Sequence, residues 1–584
     1  MVMDREKWYQ LSRGRQLWIY GIGRWQKDFE YVFRELSITG YIDNRLTKKS
    51  WQEKPLFTMS SFKEAKKSTD VLVICCLPPK SITNGEKEYI QNGFLGYECV
   101  WAEELFFLLD DEVKDLIGAK EILVWGTGRI AEKIWPELVA SYQIAYFIDS
   151  RTEKNNFHGF AVKKFSDALI KEKDIFIVIA NSYYREISAL LLEQGLKEGI
   201  DFCHYERLCL PSKLMLEVWN DESFYNLSCT TMLHHLDIIE NGRLNCCCTT
   251  FMRESLGSLL ERDVREMWNS RWHRILCVSI LNHTFCFCRQ DLCPALVNKI
   301  RERYKECFKE EKYQEVEGKP SSVNICIDHS CNLFCKSCRN RILMADAKQL
   351  ETARQVAARI ERDILPFADF IMLAGNGEVF LSQIYRSLWQ SAASKKAKYF
   401  QLLSNGNLFT EKIWQEFSKG RQSEVLLCVS IDAGTEETYK KIRRGGNWEK
   451  LMQNMRFAGD LREKGKIAYF RLNFVVQREN YKEIPQFIEL AKSIHADRVL
   501  FTRILNWGTY SAEEFSTITM VDEHGAPKPE LREILDLPIC QDSIVDMGTF
   551  NWTHGYWDDK QVGSYYLWEI DNYSDMNIEK NVLG

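Results

Sequence analysis

Three cysteines, Cys331, Cys335 and Cys338, stand at intervals of four and three in NICIDHSCNLFCKSCRN, directly after a run that alternates like a strand. Three thiolates on one loop can hold three irons of a [4Fe-4S] cluster, which ordinarily takes four cysteines, so the fourth iron stays open to a substrate or cosubstrate. A closed zinc site would need a fourth ligand, for which Cys326 and His329 are at hand, and spacing alone leaves both readings open. Upstream, Cys229, Cys246, Cys247, Cys248, Cys277, Cys286, Cys288 and Cys293 form a second concentration of soft ligands, again suited to zinc or to iron and sulfide. A third pattern occurs twice near the start. LWIYGIGRW and ILVWGTGRI are apolar runs that break into Gly-x-Gly-Arg, each followed about twenty residues later by a run ending in an acid, Asp43 or Asp149. A strand, a tight glycine turn, a helix whose amino terminus faces phosphate and a carboxylate for a ribose hydroxyl account for that spacing. The second copy carries Gly126, Gly128 and Ala131 in the GxGxxA pattern, whereas Gln26 stands at the third position of the first. A paired α/β scaffold that binds nothing explains the repeat as well.

These residues sit in a chain of 584, too long for a single core. An apolar fraction of 45% and a charged fraction of 27% argue against disorder as a whole-chain property. With 77 basic and 82 acidic side chains the net charge is -5, which gives no global support to nucleic-acid binding. MVMDREKWYQLSRGRQ lacks the apolar core of a signal peptide, and no later apolar run reaches the ~20 residues of a membrane span. A cytoplasmic protein with no membrane partner is the expectation. In that compartment the twenty cysteines point to metal more than to disulfides.

From Pro320 onward, strand-like runs alternate with helical patterns: VNICID, DFIMLAG, YFQLLSN, VLLCVSID, FRLNFVVQ and RVLFTRIL. Six such units imply a parallel sheet, open or a partial barrel, with active groups gathered at the carboxyl ends of its strands. The expected divisions are two α/β units over 1–115 and 116–211, a cysteine-rich module over 212–318, a core over 319–520 and an extension over 521–584. The extension, with NWTHGYWDDK and YYLWEIDNY, carries no readable motif.

CxxxCxxC at the end of a first strand resembles the signature of the radical S-adenosylmethionine (SAM) enzymes, and the likeness extends from about residue 320 to residue 515. LAGNGEVFLS resembles the family's glycine-rich segment, which places Gly375, Gly377 and Glu378 at the methionine amino group. LLSNG resembles the third-strand segment, with Ser404 and Asn405 lining the site, and VSIDAGTEETYKKIRRGG the fourth, with Ser430 and Arg443 at the carboxylate or ribose. Ser337 stands where relatives often have an aromatic residue, with Phe334 nearby. The order of the upstream cysteines, with a Leu-Gly turn and EMWNS, resembles a SPASM module, an auxiliary iron-sulfur domain of many such enzymes, although here it precedes the core. That resemblance implies cluster ligands among Cys229, Cys246, Cys247, Cys286, Cys288 and Cys293. The second glycine unit resembles sugar-nucleotide-binding Rossmann-like domains, which implies a nucleotide or nucleotide-sugar at Gly126, Gly128 and Asp149.

Together these resemblances imply a multi-domain α/β protein: two Rossmann-like units, a SPASM-like module and a partial (β/α)6 barrel. The activity they imply is radical SAM chemistry at a [4Fe-4S] cluster, in which S-adenosylmethionine yields a 5'-deoxyadenosyl radical that abstracts hydrogen from a peptide or sugar substrate. An electron donor such as flavodoxin or ferredoxin would be needed. Two other classes fit parts of the pattern, a metal-stabilised scaffold protein and a nucleotide-dependent oxidoreductase.

Overall fold

The computed structural model describes residues 5–548 with breaks, the longest at 23–32, 77–89, 209–228 and 297–319; shorter ones include 374–376. Among the described residues two compact units separate, one within 1–118, 205–230 and 269–287, the other within 119–204, 231–268 and 288–548. No described helix is long and apolar enough to cross a membrane.

The first unit holds a six-stranded sheet of β1 (Gln16–Tyr20), β2 (Ile38–Ile42), β3 (Ser50–Trp51), β4 (Lys54–Phe57), β5 (Val71–Cys75) and β6 (Glu98–Trp101), in the order β3-β4-β2-β1-β5-β6. The second unit holds a sheet of β7 (Glu121–Trp125), β8 (Ile144–Ile148), β9 (Asn156–Phe157), β10 (Phe160–Lys163), β11 (Ile175–Ile179) and β12 (Phe202–His204), in the order β9-β10-β8-β7-β11-β12. The two sheets correspond strand for strand. Each is parallel except for its short terminal hairpin. Each also shifts register by one residue at the same place, between Leu17 and Trp18 and between Ile122 and Leu123. Strands buried on both faces need continuous apolar runs, and the central VLVIC is buried at every position.

The second unit also contains a ten-stranded sheet: β13 (His235–Ile239), β14 (Arg243–Asn245), β15 (Gly257–Ser258), β16 (Ser322–Cys326), β17 (Phe370–Leu373), β18 (Tyr399–Ser404), β19 (Glu424–Ser430), β20 (Tyr469–Val476), β21 (Arg498–Arg503) and β22 (Val545–Asp546). Its order is β15-β14-β13-β16-β17-β18-β19-β20-β21-β22, open at both ends. The six runs read from the sequence are β16 to β21, parallel and in chain order. β13 adds to them in parallel, so residues from the cysteine-rich stretch continue this sheet.

Helices cover one face. Phe400 meets Phe417 of the helix Glu411–Ser418 at 5.5 Å, and Phe474 meets Phe487 of the helix Ile484–Ser493 at 4.7 Å. The opposite face is less buried along β18 and β20. By register it presents Asp237, Asn324, Met372 and Gln401 in one row, and Leu403, Cys428 and Arg471 in the next.

Candidate active site

The loop after β16 carries the three cysteines: Cys335 is buried, Cys331 half-buried and Cys338 exposed. Backbone bonds fasten it from both sides. Phe334 N donates to Arg444 O at 3.0 Å, Lys336 N to Ile442 O at 2.9 Å and Cys331 N to Leu343 O at 3.0 Å. Each sulfur has its own N–H donor, from Asn405 Nδ2 to Cys331 at 3.9 Å, Arg443 Nη1 to Cys335 at 3.6 Å and Arg339 Nε to Cys338 at 3.3 Å. Burial pushes the Cys331 and Cys335 thiols up, opposed by Arg339 at the first and Arg443 at the second. For Arg339, burial works against the charge, and all three cysteines together outweigh it. One guanidinium therefore feels all three thiols. Among the described residues no group of three or more His, Cys, Asp or Glu is arranged around a single metal ion.

Gly377 and Glu378 tie this loop to the end of β18. A Cβ at position 377 would collide with the backbone of Asp328 and Ser330, so only glycine admits the loop there. Glu378 N donates to Ser330 O at 2.8 Å. Its fully buried carboxylate accepts from Ser404 Oγ at 2.7 Å, Asn405 N at 2.8 Å and Phe380 N at 3.3 Å. Burial raises its pKa, and those three donors oppose the rise. Glu378 thus fixes the ends of two neighbouring strands, and Asn405, placed by it, reaches both Cys331 and Asn332 Oδ1, the latter at 2.9 Å. Gly375 lies outside the described residues.

Beyond the end of β19, Asp432 takes the left-handed conformation, φ 60°, and pairs with Arg443 Nη2 at 2.7 Å. Burial pushes the Asp432 carboxyl up and Arg443 offsets part of the rise, while Asp432 and Cys335 keep Arg443 charged against its own burial. Arg443 Nε is buried without a hydrogen-bond partner. Ser430 lies on the half-buried face and accepts from Asn473 Nδ2 at 3.3 Å. The Phe334 ring is covered by the Arg444 guanidinium, 5.0 Å from its centroid.

This donor set fits an iron-sulfur cluster: three thiols on one anchored loop, cations to balance their charge, and N–H groups aimed at the sulfurs, which tune such clusters. Cys331, Cys335 and Cys338 would hold it. Sequence reading missed Asp432 as the partner of Arg443, and it missed Arg339; the latter had a signal, a cation directly after the third cysteine.

The described parts of the glycine turns are built alike. Gly126, φ 125°, would bring a Cβ onto Ala180 O, and Gly21 has φ 95°. Thr127 N and Oγ1 donate to Asp149 Oδ2 at 3.1 and 2.5 Å, and Ile22 N donates to Asp43 Oδ2 at 2.8 Å. Gly128 caps the helix Arg129–Ser141 without a side-chain bond. Gly126 and Gly128 after β7 and Asp149 after β8 therefore lie at neighbouring strand ends, with an Asp149 oxygen turned toward the glycine loop.

The upstream cysteines fall in both units. Cys229 lies in the first, and Cys246, Cys247, Cys288 and Cys293 lie in the second. Cys286 lies outside the described residues. Cys277 is buried beside His273 Nε2, 3.4 Å away on the same helix.

Residues 326–491 match the Radical SAM superfamily. This segment is a radical SAM domain. It contains the three loop cysteines, Glu378, Ser404, Asn405, Ser430 and Arg443. The chain is also similar to a probable GTP 3',8-cyclase of Methanocaldococcus jannaschii, 23% identical over 175 residues, which make up 30% of this chain and 56% of that protein. It thus spans little more than half the length of that relative. Among solved structures, Streptococcus suis SuiB bound to precursor peptide SuiA is 15% identical, with 32% of this chain and 40% of that chain covered and a TM-score of 0.25. Native anSMEcpe with bound AdoMet is 19% identical, with 32% and 51% covered and a TM-score of 0.24.

Proposed function

We propose that this chain is a radical SAM enzyme acting on a peptide or a sugar, with a [4Fe-4S] cluster at Cys331, Cys335 and Cys338. A cluster bound there with S-adenosylmethionine supplies one-electron cleavage of the sulfonium to methionine and a 5'-deoxyadenosyl radical, which takes a hydrogen atom from the substrate. The supporting observation is the convergence of three thiols on one anchored loop with N–H donors from Arg339, Asn405 and Arg443. Gly377 and Glu378 keep that loop against β18, and Asp432 holds Arg443 in its charged state beside Cys335. Arg443 Nε keeps a free donor for the cosubstrate carboxylate. Ser404, Asn405 and Ser430 line the same strand ends.

The wider reading adds an auxiliary iron-sulfur cluster with ligands among Cys229, Cys246, Cys247, Cys286, Cys288 and Cys293, a SPASM-like role for residues 212–318, and an electron donor of the flavodoxin or ferredoxin kind. The twin glycine turns belong to Rossmann-like units that take a nucleotide or nucleotide-sugar at Gly126, Gly128 and Asp149. The location is cytoplasmic. The test is release of 5'-deoxyadenosine by reconstituted, reduced protein without substrate, slow and uncoupled. A full, demonstrably reduced cluster that yields none with any peptide or sugar nucleotide would move the three cysteines from catalysis to structure.

A further inference from the structure

Two arginines donate to thiols of the cysteine loop, and they differ in what else they face. Arg443 Nη2 pairs with Asp432 at 2.7 Å while its Nη1 reaches Cys335. After its own burial, the strongest influence on the Arg443 charge is that carboxylate, with Cys335 next. Its positive charge is answered first by Asp432.

Arg339 is arranged otherwise. Its Nε donates to Cys338 Sγ at 3.3 Å and its Nη1 to His329 O at 2.9 Å, so one guanidinium ties the start of the loop to its last thiol. The backbone is held as well: Arg339 N donates to Cys335 O at 3.0 Å, and Arg339 O accepts from Arg444 Nη2 at 3.2 Å. After burial, the strongest influences on the Arg339 charge are Cys338, Cys331 and Cys335, in that order. Cys338 is exposed, whereas Arg339 beside it is 9% exposed. A cation withdrawn from water is screened less than one in solvent and acts more strongly on its neighbours. A cluster that gains an electron gains a negative charge, and a fixed cation nearby stabilises the reduced form more than the oxidised one. Charge and hydrogen bonds to the sulfurs are among the levers that set such potentials.

We propose that Arg339, acting through the thiols and not on a substrate, raises by its charge the reduction potential of the cluster held by Cys331, Cys335 and Cys338, and so brings it within reach of a one-electron carrier of the flavodoxin or ferredoxin kind. In that step the carrier loses one electron and the cluster gains it; no bond forms or breaks. The proposal rests on the radical SAM reading above and deepens it, since it assigns control of the electron's entry to one side chain.

The test is a redox titration of the reconstituted full-length protein without S-adenosylmethionine, poised with a europium(II) chelate and mediator dyes and followed by the electron paramagnetic resonance of the reduced cluster. Loss of the signal in Cys335→Ala assigns it to this site. Arg339→Gln is expected to move the equilibrium about tenfold or more toward the oxidised cluster, a fall of about 59 mV or more for one electron. Arg339→Lys keeps the charge and should recover most of that shift, which a merely structural role would not produce. Arg339→Met, with an unbranched stem and no charge, carries the test should Arg339→Gln not hold iron. A shift under twofold in the neutral variant, or equal potentials in Arg339→Lys and Arg339→Gln, overturns the proposal. Failure of both neutral variants to hold iron makes Arg339 an assembly residue and overturns it too. Release of deoxyadenosine is read separately. A protein whose potential follows Arg339 but which releases none fails the radical reading alone, and one that releases it with a potential indifferent to Arg339 fails this proposal alone.

Discussion

The glycine turns of the six-stranded sheets and the cysteine loop of the ten-stranded sheet are both held by a carboxylate, and they differ in what is left over. At the turns, Asp43 and Asp149 each accept from the backbone of their own loop, and the polar groups answer one another. At the cysteine loop, Glu378 is just as fully engaged, yet the Arg443 Nε beside Cys335 is buried without a hydrogen-bond partner. A buried donor without a partner costs stability, and Arg443 Nε is one of several such groups in the described residues. What sets Arg443 apart is its place beside Cys335 and Asp432, which suits the cosubstrate role proposed for it. Among the described residues of the turns, Asp43 and Asp149 accept bonds from the loop itself, so a nucleotide as proposed there would have to compete with them.

The largest effect separating the two regions is expected from Cys331→Ala, Cys335→Ala or Cys338→Ala. Each should abolish deoxyadenosine release, and a count near four residual irons would place a second cluster elsewhere in the chain. Arg443→Gln comes next. It leaves Asp432 buried without its cation, at a cost of about 3–5 kcal/mol in denaturant unfolding. Asp149→Ala, which loses turn bonds in a part-buried setting, should cost nearer 1 kcal/mol. If the two costs are alike, the contrast between the regions fails.

Gly377→Ala tests the loop itself. The added methyl meets backbone oxygen and not a flexible side chain, so destabilisation of about 1–3 kcal/mol is expected. Iron content should fall with it, as read by iron analysis after reconstitution. The other turn is tested by Asp43→Ala, which removes the acceptor of the Ile22 N–H and should cost about 1 kcal/mol in denaturant unfolding.

The smallest effect concerns how the second six-stranded sheet is attached. Glu198 makes a buried ion pair with Arg243 of β14 at 3.4 Å, and Glu261 sits nearby with its pKa raised to about 7. Burial is the main cause, Glu198 and Asp201 add to it, and Lys197 and Arg262 oppose it. The folded state holds this proton more tightly than the unfolded chain. Stability from Glu261 is therefore full below about pH 4.5, falls as pH rises to about 7, and is level beyond. Glu261→Gln should flatten that part of a curve of melting temperature against pH. An unchanged curve would place the proton elsewhere.

The residues proposed to do chemistry were readable where they are neighbours along the chain. The cysteine spacing, the glycine turns and the six runs that became β16 to β21 all rest on local periodicity, which a strand or a tight turn imposes on its own segment. The twin sheets were readable as a repeat for the same reason. Their short hairpins, β3 with β4 and β9 with β10, were missed, since two-residue strands have no period to detect.

Other partnerships needed the folded chain. Asp237 and Asn324 are separated by 87 positions, and nothing near either residue announces the other. Asp432 and Arg443 are closer in sequence, but they meet only because Asp432 takes a left-handed turn at the strand end. That β13 adds to the edge of β16 is likewise a matter of sheet order. Local sequence dictates which segments become strands and which side chains share a face. Which strands lie side by side, and in what register, depends on how distant apolar faces and backbone donors satisfy one another once the chain is compact.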